Sequence, residues 1–327
     1  MFNLKKFSSL TEIQALIAQK KITLAELLDY YFKQIEDQKH LNAFNEVFFY
    51  SARAQAEAIQ QKLDSNTAGK LAGMIIGIKD NICYQDHQVS ASSRMLEGFV
   101  APYSSTVVER LLAEDAIIIG RLNCDEFAMG GSNETSFFGP VKNAVDPELV
   151  SGGSSGGSAV AVQADLCLAA LGTDTGGSVR QPAAFCGVIG FKPTYGRISR
   201  YGVIAYASSF DQVGTITSSI SDAAILMEVI AGADAQDSTV SEKEVPAYSK
   251  MLDQPKKHKI AVLKQTLESK ALDPEIKTSV LQAIETLKLQ GHEVEEVSFD
   301  LLDYLVPTYY VLTSAEASSN LSRYDGV

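Results

Sequence analysis

Two glycine- and serine-rich stretches carry the residues most able to do chemistry: "SGGSSGGSAVAV" (151–162) and "GTDTGGSVRQP" (172–182). Glycine permits backbone conformations that other residues resist, and it lets another group come close. Successive N–H groups in such loops form concave anion sites. The choice is between holding a phosphate and stabilising an oxyanion. Neither loop has the lysine of a G-x-x-x-x-G-K-[ST] phosphate loop. "GGSSGG" also lacks the G-x-G-x-x-G spacing of a dinucleotide fingerprint. Acyl transfer fits better, because Ser178 follows two glycines and would sit among converging N–H groups.

A serine hydroxyl needs a base to become a nucleophile. The chain has four histidines, His40, His87, His258 and His292, and only His87 lies near a motif. A lysine serves as base if burial strips its charge. Lys79 follows the apolar run Met74 to Ile78, so it stands at a buried strand end. The other reading of Lys79 is a side chain that reaches solvent or pairs with Asp80. A second hydroxyl can relay the proton, and "GGSSGG" offers both Ser154 and Ser155. A flexible surface linker is the competing reading of that pair, opposed by the packed-looking "SAVAV" that follows.

The surrounding elements suit a sheet-based scaffold. Thr23-x-x-Glu26 reads as a capping box opening a helix, and Ser9-x-x-Glu12 opens a shorter one before it. Met74–Ile78 reads as a strand buried on both faces. A helix over Thr106 to Ala113, a strand over Ala116 to Gly120, then loop, small-residue helix, strand and second Gly loop follow. This alternation predicts an α/β fold, a sheet covered by helices. The polar stretch 232–259 reads as a surface excursion. After it "KIAVLKQ", a helix from about Pro274 to Leu289, and "HEVEEVSFD" resume the same pattern.

Of 327 residues, 46% are hydrophobic and 21% charged, which is ordinary for a large globular core. The net charge of −12 argues against direct nucleic-acid binding, since phosphate contacts need a basic face. Cys83, Cys124, Cys167 and Cys186 show no C-x-x-C or zinc-ligand spacing, so no metal site is expected and reduced, buried thiols are. The N-terminus shows no signal-peptide apolar region, and no apolar run approaches the ~20 residues of a bilayer span. A cytoplasmic protein with no membrane contact is expected.

Taken in order, Lys79 in "GIKDNI", "GGSSGGSAVAV" and "GTDTGGSVRQPAAFCGVIGFKPTYGRIS" resemble the amidase signature family. Ser154 follows Lys79 by 75 residues, and Ser178 follows Ser154 by 24. The flanks "DEFAMGGSNETSFFGPVKN", "KPTYGRISRYGVIAYASSFDQVG" and "AEASSNLSRYDGV" are most similar to the A subunits of aspartyl/glutamyl-tRNA amidotransferases.

The resemblance implies a central mixed β-sheet with helices on both faces, and a single amidase domain over 1–327 whose C-terminal part is missing. It implies a Ser-Ser-Lys triad: Ser178 as nucleophile, Ser154 as bridge after a cis Gly153–Ser154 bond, Lys79 as neutral base. Thr175, Gly176, Gly177 and Ser178 would supply oxyanion N–H groups. Met129, Gly130 and Tyr309 or Tyr310 would lie near substrate. The implied activity is glutamine hydrolysis that feeds ammonia to Glu-tRNA(Gln) or Asp-tRNA(Asn). Subunits B and C would be the partners. ATP and Mg would bind the partner, as would most of the mischarged tRNA, with no cofactor on this chain. A stand-alone amidase of the same family is the alternative. The chain departs from the pattern at Ser151, often proline in such subunits, and at Ala144 and Val145, where an aromatic is common.

Overall fold

The computed structural model describes residues 7–254 and 256–324. Six strands form one sheet: β1 (Phe44–Val47), β2 (Ile75–Lys79), β3 (Ile117–Leu122), β4 (Ala169–Asp174), β5 (Ile189–Phe191) and β6 (Gln212–Thr217), in the order β1-β3-β2-β4-β6-β5. β2 runs parallel to β3 and to β4, and the remaining pairs are antiparallel, so the sheet is mixed. Every residue of β2, β3, β4 and β6 is buried. That burial explains their near-continuous apolar runs in place of alternation.

Helices flank this sheet. They are α1 (Leu10–Ala18), α2 (Leu24–Asp37), α3 (Phe49–Asp64), α4 (Thr106–Ala113), α5 (Gly156–Gln163), α6 (Arg180–Phe185) and α7 (Ile220–Ile230). The expected capping box closes at α2: Thr23 Oγ1 accepts from Glu26 N, and Thr23 N donates back to the Glu26 carboxylate. Ser9 caps α1 through the N–H of Glu12. α5 is buried almost throughout and contacts β2, β3, β4 and β6, which its glycine, alanine and valine side chains permit. A Cβ at Gly157 would lie 2.4 Å from Asn123 O, so only glycine fits there.

β2 and β4 are parallel neighbours, with Ile78 opposite Leu171. The chain leaves β2 for β3 on one side and returns to β4 on the other. Ligand sites of open α/β sheets lie beyond the carboxyl ends of strands at such a switch. Lys79 and Asp174 end these two strands.

The chain divides into two compact units, Met1–Ser249 with Glu316–Val327, and Lys250–Ala315. The stretch 232–259 divides with them. Its first part stays on the larger unit, where Arg197 donates to Lys243 O and Glu244 O. After a short helix α8 (Tyr248–Met251), β7 (Lys259–Leu263), α9 (Lys264–Glu268), α10 (Pro274–Leu289) and β8 (Glu293–Val297) follow, then α11 (Leu302–Leu321). β7 and β8 lie outside the six-stranded sheet. They pair in parallel with each other in a separate two-stranded sheet. Their mix of exposed and half-buried residues distinguishes them from the fully buried β2 and β4.

Candidate active site

Lys79 is fully buried, and its Nζ lies 2.7 Å from Ser154 Oγ and 3.0 Å from Thr173 Oγ1. Neither solvent nor Asp80 takes this amine. Asp80 instead pairs with Arg121 and accepts from Ser90 and Ser92. Burial pushes Lys79 below the ordinary lysine range, against the opposing pull of Cys124, Asp125, Asp211 and Asp174 nearby. Thr173 Oγ1 is held in turn by Asn81 Nδ2 at 3.1 Å.

The two serines of "GGSSGG" part company. Ser154 faces Lys79, and its peptide bond with Gly153 is cis. Ser155 Oγ turns to strand β4, 3.2 Å from Thr173 O and 3.3 Å from Thr173 N. Its backbone N donates to Ser178 O at 3.1 Å, which ties the two Gly/Ser loops together. The stretch reads as a flexible linker only from composition, for Ser151–Gly157 is buried throughout.

Ser178 is 7% exposed, and no described residue hydrogen-bonds to its hydroxyl. The loop before it is organised by Asp174. That carboxylate accepts from Gly177 N at 2.8 Å, Val179 N at 3.2 Å and Arg180 N at 3.3 Å, and takes the Arg180 guanidinium in two bonds of 2.9 Å. Burial raises the Asp174 carboxyl, but Arg180 and the loop N–H groups outweigh it and hold the acid below its usual range. Gly177 has φ +136°, a region that disfavours any side chain. Within the implied oxyanion set, the Gly177 N–H donates to Asp174, while those of Gly176 and Ser178 are donated to no described residue. Thr175 sends its hydroxyl to Asp211 at 2.6 Å.

Met129 and Gly130 follow a 3-10 turn, Glu126–Ala128, and belong to the same unit as the serines. Asp125 links this turn to the Ser154 loop, because its N–H donates to Ser154 O at 3.1 Å and its carboxylate accepts from Asn133 N and Thr135 Oγ1. A Cβ at Gly130 would fall 2.2 Å from Asp125 Cγ. Tyr309 and Tyr310 lie in the other unit on α11, edge to face at 5.3 Å, with Tyr310 exposed. Sequence reasoning passed over Asn81, Thr173, Asp174, Arg180 and Gln181. Only Asp174 left a signal, an acid opening a glycine loop whose N–H groups it can collect.

The arrangement places a buried amine of lowered pKa against one hydroxyl, and ties that hydroxyl's loop by backbone to the segment that carries a second, Ser178. The Amidase family model matches residues 26–327. The A subunit of the Glutamyl-tRNA(Gln) amidotransferase of Synechococcus sp. (strain WH7803) is 48% identical over 322 residues, covering 98% of this chain and 66% of that protein. The protein of the same description from Bdellovibrio bacteriovorus is 48% identical over 324 residues, with the same coverage of 98% and 66%. The crystal structure of the A subunit of the Glutamyl-tRNA(Gln) amidotransferase from Thermotoga maritima superposes with a TM-score of 0.83 at 37% identity, covering 98% of this chain and 68% of that one. The chain thus spans just under two thirds of the length of these curated relatives. With the family model matched over 26–327 and the mixed sheet, buried lysine and paired loops in place, the chain belongs to the amidase family.

Proposed function

We propose that this chain is the glutamine-hydrolysing part of a tRNA-dependent amidotransferase, using a Ser178–Ser154–Lys79 relay. The observation that carries the chemistry is the 2.7 Å approach of buried Lys79 Nζ to Ser154 Oγ. A neutral amine accepts the Ser154 proton as Ser154 takes that of Ser178. Ser178 Oγ then attacks the side-chain amide carbon of glutamine. The N–H groups of Gly176 and Ser178 receive the oxyanion, and such donors are each worth about 3 kcal/mol in the transition state. Collapse breaks the C–N bond, the relay returns its proton to the departing nitrogen, and ammonia leaves a glutamyl ester on Ser178. Water enters by the same relay, hydrolyses the ester and frees glutamate.

The names of the relatives support the tRNA-dependent context. In this reading the ammonia passes to a partner that activates Glu-tRNA(Gln), or Asp-tRNA(Asn), with ATP and Mg. Subunits B and C are the partners, and assembly takes place in the cytoplasm. The net charge of −12 agrees with tRNA contacts lying mainly on the partner. Ser178→Ala in the assembled complex tests the reading. Glutamine-dependent transamidation should vanish while ammonia-dependent transamidation survives. Loss of both, or strong amidase activity that partners do not change, overturns it.

A further inference from the structure

Gln181 touches three segments that the relay and its pocket need. Its backbone N donates to Gly177 O at 2.8 Å. Its side-chain Oε1 accepts from Gly153 N at 2.9 Å, one residue before Ser154. Its Nε2 donates to Gly131 O at 2.8 Å, beside Met129 and Gly130. The approach is close enough that a Cβ at Gly152 would lie 2.6 Å from Gln181 Oε1. Only a primary amide of this length both accepts from one backbone and donates to the other. Glutamate could keep the Gly153 bond but would set a carboxylate oxygen against Gly131 O. Leucine could keep neither.

We infer that Gln181 is a positioning residue that holds the Ser154 loop and the Met129–Gly131 turn in register with Ser178. The inference rests on the acyl-transfer reading above. Since Gln181 sits three residues after Ser178, one side chain ties the nucleophile's helix to both the proton relay and the candidate pocket. Its two bonds separate by consequence: the Gly153 bond sets the relay and hence the rate of the covalent step, and the Gly131 bond sets the pocket and hence affinity.

The test is labelling of the intact protein by an alkyl fluorophosphonate. Ser178 Oγ bonds to phosphorus, the P–F bond breaks, fluoride leaves and the Ser178 proton enters the relay. The rate of the covalent step (kinact) and the reagent affinity (KI) are measured for wild type, Q181E, Q181L and S178A, with thermal melting alongside. Q181L should lower kinact by about tenfold or more, the scale expected when a catalytic group is misplaced. Q181E, nearly isosteric, should lower kinact several-fold less than Q181L. Both should weaken KI. A purely structural role predicts lowered melting without this kinact-against-KI separation. If Q181L fails to fold, Q181E against wild type carries the test through a KI effect exceeding its kinact effect. Both parameters at wild-type values in a folded variant overturn the role of Gln181 alone. A wild type left unlabelled, or S178A labelled equally fast, fells the acyl-transfer reading instead.

Discussion

Asp174→Asn is the most informative single perturbation of the loop that presents Ser178. The carboxylate accepts from Gly177 N and Arg180 Nη2 on Oδ1, and from Val179 N, Arg180 N and Arg180 Nε on Oδ2. Asparagine keeps one acceptor oxygen, and turning its NH2 to the Oδ1 side sacrifices fewer bonds. Gly177 N–H then faces another donor, a loss of about 1–3 kcal/mol for a partly buried group. The released guanidinium adds no more than about 1 kcal/mol, because the Arg180 side chain is 53% exposed and regains water. The expected loss is roughly 1–4 kcal/mol of stability in the unit that holds the site. All four cysteines lie in that unit and are buried, so their reaction with an aromatic disulfide along a denaturant titration reports its unfolding. The acid limb adds a second signature. Asp174 titrates below its unfolded value, so its contribution is complete above the ordinary carboxylate range and is lost as pH falls through the depressed pKa. The gap between wild type and D174N should therefore narrow over that interval. Equal denaturation midpoints, or a gap that stays constant into acid, refute this account of the loop.

Lys79 reacts only when neutral, so labelling of Ser178 should rise with pH through a pKa below the ordinary 10.5, and Lys79→Arg should abolish the rise. The same shift makes the native state bind fewer protons than the unfolded chain below 10.5, so Lys79 lends a stability that grows with pH across that window, a trend Lys79→Met should remove in denaturant titrations at stepped pH. Ser154→Ala should slow the covalent step by about 10²–10⁴-fold, the range for a lost proton-transfer group, while Ser155→Ala should cost far less rate and show mainly in stability. Equal rate losses at the two serines would contradict the relay. Gly172→Ala places a methyl 2.7 Å from Ser155 Oγ and 3.0 Å from Val179 Cγ2, so it should destabilise by about 1–3 kcal/mol and slow labelling, read by melting and by the phosphonate rate.

Much of this was legible in the sequence. The buried strands announced themselves as isoleucine- and alanine-rich runs, and Thr23 with Glu26 marked α2 through local hydrogen bonds that need no tertiary context. Lys79 stood out because a cation ending an apolar strand demands an explanation. What stayed hidden depends on long-range placement. Composition offers Ser154 and Ser155 as equals, and only the register of β4 beneath α5 sends one to Lys79 and the other to Thr173. Gln181 reads as an ordinary helix residue until three separated backbones meet it. The pairing of β7 with β8 escaped for the opposite reason. A short apolar run says that a strand forms but not which sheet it joins.

The placement of Lys79 and Ser154 on segments 75 residues apart, with Thr173 94 residues from the lysine, also bears on how the protein comes into being. Local helices such as α2 can form early, whereas parallel pairing of β2 with β4 must close a long loop before any contact rewards it. No early intermediate can hold the lysine dry beside its serine. During refolding, competence for covalent modification should therefore emerge after most helical signal has returned, which makes reactivity a late clock for the assembly of the sheet.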